Sequence, residues 1–347
     1  MRNIKIKNKI IGAGYPSFII AEAGVNHNGS LKLAKELIDA TKGAGADAVK
    51  FQTFKTEDLV TKSAEKASYQ KETTVKNSQY EMIKKLELSE DNFRELAQYA
   101  DKRGILFLSS PFDFESVDLL DEIGVPAFKL GSGEITNFPL LERVASKGKP
   151  VILSTGMATM GEIREAVKLF EDNENDLILM HCVTSYPANV EDINLKVIET
   201  LRSTFKLPVG FSDHTLRIEM PIAAVAMGSC VVEKHFTLDK NLDGPDHKAS
   251  LEPIEFKKMV FAIRNVEKGM GNGIKELTRE EKEIKKVARK SVVAKVSIPQ
   301  KTIISREMLA IKRPGTGIEP KYIKSLIGKT TTAEIKKDEV LRWNLVK

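Results

Sequence analysis

Cysteine and tryptophan are scarce in this chain: 347 residues hold two cysteines and a single tryptophan. Two cysteines cannot build the disulfide framework of a small secreted domain. Cys182 and Cys230 lie far apart inside apolar runs, which predicts buried free thiols in a reducing compartment and therefore a cytoplasmic protein. Long hydrophobic runs are also missing. None approaches the roughly 18–20 apolar residues that a membrane helix needs, which argues against a membrane partner. The opening MRNIKIKNKIIGAGYPS is basic but has no apolar core and no small-residue cleavage site, so it does not read as a secretion signal. A glycine-rich dinucleotide loop is absent too, since the first apolar run is followed by AEAGVNHNGS and not by GxGxxG.

Charge is present but unevenly placed. Residues 281–347 hold 17 Lys/Arg against 7 Asp/Glu, net +10, whereas the first 280 hold 37 against 41, net −4. Nucleic-acid binding would want this basic segment to carry stacking aromatics, and it offers only Tyr322 and Trp343. Its basic residues alternate with apolar ones, as on a folded basic module beside an anionic site, and no nucleic-acid partner is expected.

What the sequence does have is a repeat of short apolar runs, each ending in polar residues. They are FIIAEAG (18–24), AVKFQTF (48–54), ILFLSSPF (105–112), AFKLGSG (127–133), VILSTG (151–156), LILMHCV (177–183), VGFSDH (209–214) and VVEKHFTL (231–238). Amphipathic segments separate them. One is LKLAKELIDATKGAG, with apolar Leu31, Leu33, Ala34, Leu37 and Ile38 and an expected end at Gly43. Eight near-continuous apolar strands alternating with helices predict an α/β fold, a (β/α)8 TIM barrel over residues 1–280. Past that point the pattern breaks into a charged linker, 281–290, and a small domain of short strands and turns, 291–347.

In such a barrel the chemistry lies where the strands end. Those ends supply Glu22, then Lys50 and Gln52, Ser109 and Ser110, Lys129 with Ser132 and Glu134, and Ser154. The later strands add Thr184 and Tyr186, Ser212 with His214, and His235. Lys50 and Lys129 interrupt apolar runs. A buried ammonium is costly until an anion compensates it, so the two lysines and nearby hydroxyls predict a socket for a doubly anionic substrate such as phosphoenolpyruvate. Removing the Lys129 charge would then leave stability unchanged or raised. His214 and His235 end consecutive strands and can converge on one divalent ion, leaving positions open for water and substrate. The turn-rich LDGPDHKASLEP can bring Asp246 over the barrel mouth, and KRPGTGI can hold Arg313 on a rigid turn.

The segments IIAEAGVNHNG, VKFQTFK, LSSPFD, FKLGSGEITN, ILSTGMA, GFSDHT, EKHFTLDK and GPDHKAS, followed by KRPGTGI, resemble the bacterial sialic acid synthases, which include N-acetylneuraminate and legionaminate synthases. The resemblance covers nearly the whole chain. It implies a barrel followed by an antifreeze-like (SAF-type) domain, in a homodimer whose small domains are swapped onto the partner's barrel. It also implies condensation of phosphoenolpyruvate with an N-acetylated mannosamine-like sugar, either N-acetylmannosamine or a 2,4-diacetamido-6-deoxy analogue. By that resemblance Glu22 is the catalytic carboxylate, and His214 and His235 bind manganese, with Mg2+ or Co2+ as alternatives. Lys50, Ser110, Lys129, Ser132, Ser154 and Ser212 hold phosphoenolpyruvate. Gln52, Glu134, Tyr186, Asp246 and the partner subunit's Arg313 hold the sugar. Two positions depart from the commonest pattern, Ser110 in place of Thr and Thr184 in place of Asn. Two rival functions are a synthase acting on a phosphorylated sugar, against which the C-terminal module and the GPDH loop argue, and a non-catalytic carbohydrate- or ice-binding protein. Ice binding would want a flat, regular threonine array, whereas this domain has only the short run Thr330–Thr332 amid many charges.

Overall fold

The computed structural model describes residues 2–67, 70, 71, 74 and 78–347. It divides into two compact units, Met1–Gly271 and Asn272–Lys347.

The first unit opens with an antiparallel hairpin, β1 (Ile4–Ile6) and β2 (Lys9–Ile11). Eight parallel strands follow: β3 (Phe18–Gly24), β4 (Ala48–Thr53), β5 (Leu106–Pro111), β6 (Phe128–Leu130), β7 (Val151–Ser154), β8 (Leu177–Cys182), β9 (Val209–Asp213) and β10 (Val231–His235). Their order is β5-β4-β3-β10-β9-β8-β7-β6, and the two ends, β5 and β6, lie side by side, so the sheet curls into a barrel. The eight apolar runs therefore each became a strand, as expected. The hairpin was not foreseen, although Ile4 and Ile6 alternate with lysines as a half-buried strand should. Its buried Ile4, Ile6 and Ile11 plug the lower end of the barrel against Phe18, Ile20, Ala48 and Leu106.

A helix follows each barrel strand and is anchored by local chemistry. In Leu31–Ala44 the Ser30 hydroxyl accepts from Leu33 N, and Gly45 at φ 89° closes the other end. This helix runs through Gly43, where the sequence had suggested it would stop. Gly43 keeps helical backbone, and the left-handed cap that only glycine adopts cheaply falls at Gly45. Ser89, Asp113 and Thr159 cap the helices Glu90–Arg103, Phe114–Ile123 and Met160–Asp172 in the same way.

Strand alternation then positions the site. Successive side chains point to opposite faces, so every second residue enters the barrel. On strand after strand an inward apolar residue is followed, two positions on, by an inward polar one. Ile20 precedes Glu22, Ala48 precedes Lys50, Leu108 precedes Ser110, Ala127 precedes Lys129, Ile152 precedes Ser154 and Val231 precedes Glu233. The lower barrel is thus a packed apolar core, and the layer above it is polar. Gly210 belongs to the lower layer by necessity, because a Cβ there would come within 2.3 Å of Met180 Sδ.

The second unit has its own core of Val292, Ala294, Ile298, Leu309, Ile318, Ile335 and Leu341, among others. β11 (Ser291–Ala294) pairs antiparallel with β12 (Leu309–Lys312). The segment read as a linker carries the helix Arg279–Ala288, capped by Thr278. Among the described residues no helix is long and apolar enough to cross a membrane.

Candidate active site

The polar layer opens into a cavity of about 450 Å³ at the C-terminal ends of the strands. Its floor is an ionic network. Lys50 Nζ lies 2.6 Å from Glu22 Oε2 and donates to Ser110 Oγ at 3.1 Å. Gln52 Nε2 donates to the other Glu22 oxygen at 3.0 Å. Across the floor Lys129 Nζ donates to Ser154 Oγ at 2.7 Å and stands 3.5 Å from Glu233 Oε1. The Ser212 hydroxyl donates to that same Glu233 oxygen at 3.0 Å.

This corrects the expectation that the lysines wait uncompensated for a substrate anion. Two buried carboxylates, Glu22 and Glu233, already neutralise them. Burial works against the Lys50 ammonium, but Glu22 and Glu233 outweigh it and its pKa is raised. For Lys129 burial outweighs the attraction of Glu233, and its pKa is lowered. Burial pushes the Glu22 carboxyl up despite Lys50 beside it, with Glu233 adding to the rise. For Glu233 burial is outweighed by Lys129 and Lys50, which hold its pKa down. Glu233 was not singled out from the sequence. The signal was available, since it stands two residues before His235 and so shares its inward face.

The wall above the floor is mixed. Ser132 Oγ accepts from Gly156 N at 3.0 Å and lies 3.1 Å from Cys182 Sγ. Cys182 and Cys230 are both buried and unbridged, as their placement suggested. Gly156 is obligatory here, because a Cβ would approach Thr184 Oγ1 to 2.2 Å. Tyr186 packs on the histidines, its ring centroid 4.2 Å from His214 and 5.4 Å from His235. Asp246 also lines the cavity, and burial, followed by the Glu22 charge, pushes its pKa up to about 7. Another part of the lining is largely apolar, made by Val25, Phe54, Leu59, Met82, Ile83 and Leu86, with Gln70 and Gln79 from the same stretch. Val25 and Phe54 fall within the motifs IIAEAGVNHNG and VKFQTFK, whereas Leu59, Met82, Ile83 and Leu86, from the segment between β4 and β5, fall in none.

Twelve of the fourteen expected site residues line this one cavity. The other two are Glu134 and Arg313. Glu134 sits in the turn after β6, half-buried, accepting from Asn137 Nδ2 at 2.7 Å, and burial raises its pKa. Arg313 belongs to the second unit and is exposed. Its turn is held because Ser291 Oγ donates to Pro314 O at 2.7 Å and accepts from Gly317 N at 2.9 Å.

His214 and His235 have ring centroids 5.5 Å apart. His214 Nδ1 lies 2.6 Å from the Val183 carbonyl, an acceptor, so Nδ1 carries the proton and Nε2 keeps its lone pair. His235 Nδ1 is buried and has no hydrogen-bond partner. Burial lowers both pKa values, so both rings are neutral. Two neutral imidazoles, one with an orphaned nitrogen, fit a divalent ion of borderline softness. Among the described residues no group of three or more His, Cys, Asp or Glu is arranged to hold a metal. The fit is therefore to an open site in which water and substrate complete the coordination.

Comparison with known proteins gives a consistent likeness. The NeuB family model matches residues 37–275, and the SAF domain model matches residues 289–347. The N,N'-diacetyllegionaminic acid synthase of Campylobacter jejuni is 50% identical over 94% of this chain and 99% of its own length. The human N-acetylneuraminate-9-phosphate synthase is 38% identical over 97% of this chain and 94% of its own. The crystal structure of an N-acetylneuraminic acid synthetase from Leptospira borgpetersenii, in complex with citrate, superposes with a TM-score of 0.74 at 40% identity. It covers 82% of this chain and 95% of that one.

Proposed function

Because the chain belongs to the NeuB family and ends in a SAF domain, we propose that its barrel condenses phosphoenolpyruvate with an N-acetylated mannosamine-like sugar. The observation that carries this reading is the floor network. Two lysines and several serine hydroxyls face the cavity, and the lysines, paired in the free protein with two carboxylates, can turn to an incoming anion.

In this reading Lys50, Lys129, Ser110, Ser132, Ser154 and Ser212 hold the phosphate and carboxylate of phosphoenolpyruvate. C3 of phosphoenolpyruvate bonds to the aldehyde carbon of the open-chain sugar. Water adds at C2, the bond between C2 and the bridging oxygen breaks so that phosphate leaves with that oxygen, and the two protons of the water end on the former aldehyde oxygen and on phosphate. Glu22, whose pKa is raised by burial and whose oxygens are oriented by Lys50 and Gln52, moves the water proton. His214 and His235 would hold a divalent ion, manganese or else Mg2+ or Co2+, which would supply Lewis-acid polarisation of the aldehyde. Gln52, Glu134, Tyr186 and Asp246 bind sugar hydroxyls and the acetamido group. Arg313 acts from the partner subunit of a homodimer with exchanged SAF domains.

The apolar wall of Leu59, Met82, Ile83 and Leu86 suits methyl groups better than a charged or heavily hydroxylated sugar tail. It favours a 2,4-diacetamido-6-deoxy sugar over N-acetylmannosamine, in line with the diacetyllegionaminic acid synthases at about half identity. The test is phosphate release from phosphoenolpyruvate with each sugar in turn. Release should require a sugar, with the higher kcat/KM for the diacetamido compound. Sugar-independent release, or none with either, would overturn the proposal.

A further inference from the structure

β9 and β10 each send alternate side chains to the cavity and to the helices. Ser212, Glu233 and His235 line the cavity, while Phe211 and Val232 join the apolar layer beneath the helices. Two residues further along that outer face stand Asp213 and Lys234, in register with each other. Both side chains are 0% exposed, and Lys234 Nζ lies 2.5 Å from Asp213 Oδ2. The same ammonium donates to the Thr215 carbonyl. Asp213 in turn accepts from Thr215 N at 3.0 Å and from Thr215 Oγ1 at 3.1 Å. One ammonium on β10 therefore grips the residues on both sides of His214, and its own neighbour in the chain is His235.

Stability does not explain a sealed ion pair in an apolar layer, because an apolar pair of similar volume usually does as well or better. Directional, charge-assisted hydrogen bonds fix position in a way that apolar contacts do not. β9 ends at Asp213, and His214 lies beyond its last ladder residue. Among the described residues His214 is hydrogen-bonded besides only to Val183 O through Nδ1 and to Ala188 N through its carbonyl, both from the loop after β8. We propose that Asp213, Lys234 and Thr215 form a staple that sets the spacing and mutual orientation of His214 and His235, and through them the affinity for a divalent ion. The proposal rests on the reading that these histidines hold such an ion. None of the three staple residues lines the cavity, so they are positioning residues, not catalytic ones.

The test titrates Mn2+ into metal-stripped protein by calorimetry and measures phosphoenolpyruvate binding in excess chelator. An Asp213→Leu/Lys234→Met double variant removes both charges together. Its melting temperature should stay within a few degrees of wild type, its Mn2+ affinity should fall about 10–100-fold, and its phosphoenolpyruvate affinity should hold. Thr215→Val keeps the ion pair but loses the hydroxyl link. It should weaken Mn2+ binding by a smaller factor, and Thr215→Ser should restore it. If the double variant does not fold, the Thr215 pair decides the matter alone. Unchanged Mn2+ affinity in the folded variants overturns the staple, as does a parallel loss of Mn2+ and phosphoenolpyruvate binding, which would mean general damage. A wild type that binds phosphoenolpyruvate but no Mn2+ overturns the metal reading itself, and is a distinct result.

Discussion

Glu22 and Lys50 stand opposite each other on neighbouring strands, with Nζ 2.6 Å from Oε2 and both side chains buried. Neither would be tolerable there alone. Removing one partner of a buried pair typically costs about 3–5 kcal/mol, because the other charge is left without compensation. Lys50→Met should therefore lower unfolding free energy by about 3 kcal/mol as well as abolish turnover. Glu22→Gln, which keeps a hydrogen-bonding group beside Lys50, should abolish turnover at a smaller cost in stability. Urea unfolding of both variants checks this, and equal losses would show that the pair is not the main term.

Lys129 is the second case. The sequence suggested that removing its charge would leave stability unchanged or raise it. With Glu233 Oε1 only 3.5 Å away, Lys129→Met instead strips a counter-charge from a buried carboxylate. The melting temperature should fall, and saturation with phosphoenolpyruvate should move to much higher concentration. Adding Glu233→Gln should recover stability but not substrate affinity. Unchanged saturation in Lys129→Met would make the lysine structural.

His214→Ala or His235→Ala should remove activity and Mn2+ binding while leaving the fold intact, since both sit at the edge of the core. Excess chelator should do the same to wild type, reversibly. Full activity in chelator would end the metal hypothesis.

pH dependence should come in part from His27, which is sealed in the loop after β3 with Nε2 unpartnered. Burial, and then the nearby His247, lowers its pKa to about 4 from an ordinary 6.5. The unfolded chain therefore binds this proton between pH 6.5 and 4 while the folded chain does not. Stability from this residue is complete above pH 6.5 and is lost as pH falls towards 4, by about 2–3 kcal/mol at pH 4.5. The difference in unfolding free energy between pH 7.5 and 4.5 should shrink by that amount in His27→Gln. An unchanged difference would place the acid sensitivity elsewhere.

Exchange of the SAF domain has a complementation test. Mixing inactive Arg313→Ala with inactive Glu22→Ala, by co-refolding, makes half the dimers hybrid. Each hybrid has one barrel with Glu22 capped by an intact Arg313, so about a quarter of wild-type activity should return. Hybrids that demonstrably form and stay inactive would show that Arg313 does not act across subunits.

What the sequence determined by itself is whatever has a short period. Eight apolar runs with helices between them gave the barrel. The step from Ile20 to Glu22, or from Ala127 to Lys129, already placed polar side chains above an apolar layer, because strand alternation is local. Tertiary structure decided which polar groups meet. The pairing of Lys50 with Glu22, of Lys129 with Glu233 and of Asp213 with Lys234 depends on strand register, and register is fixed only when the whole sheet curls and its core packs. The same holds for the apolar wall at Leu59 and Leu86 and for the hairpin plug at Ile4 and Ile6. Those residues look like ordinary surface-loop and terminal hydrophobics until the barrel supplies the surface they cover.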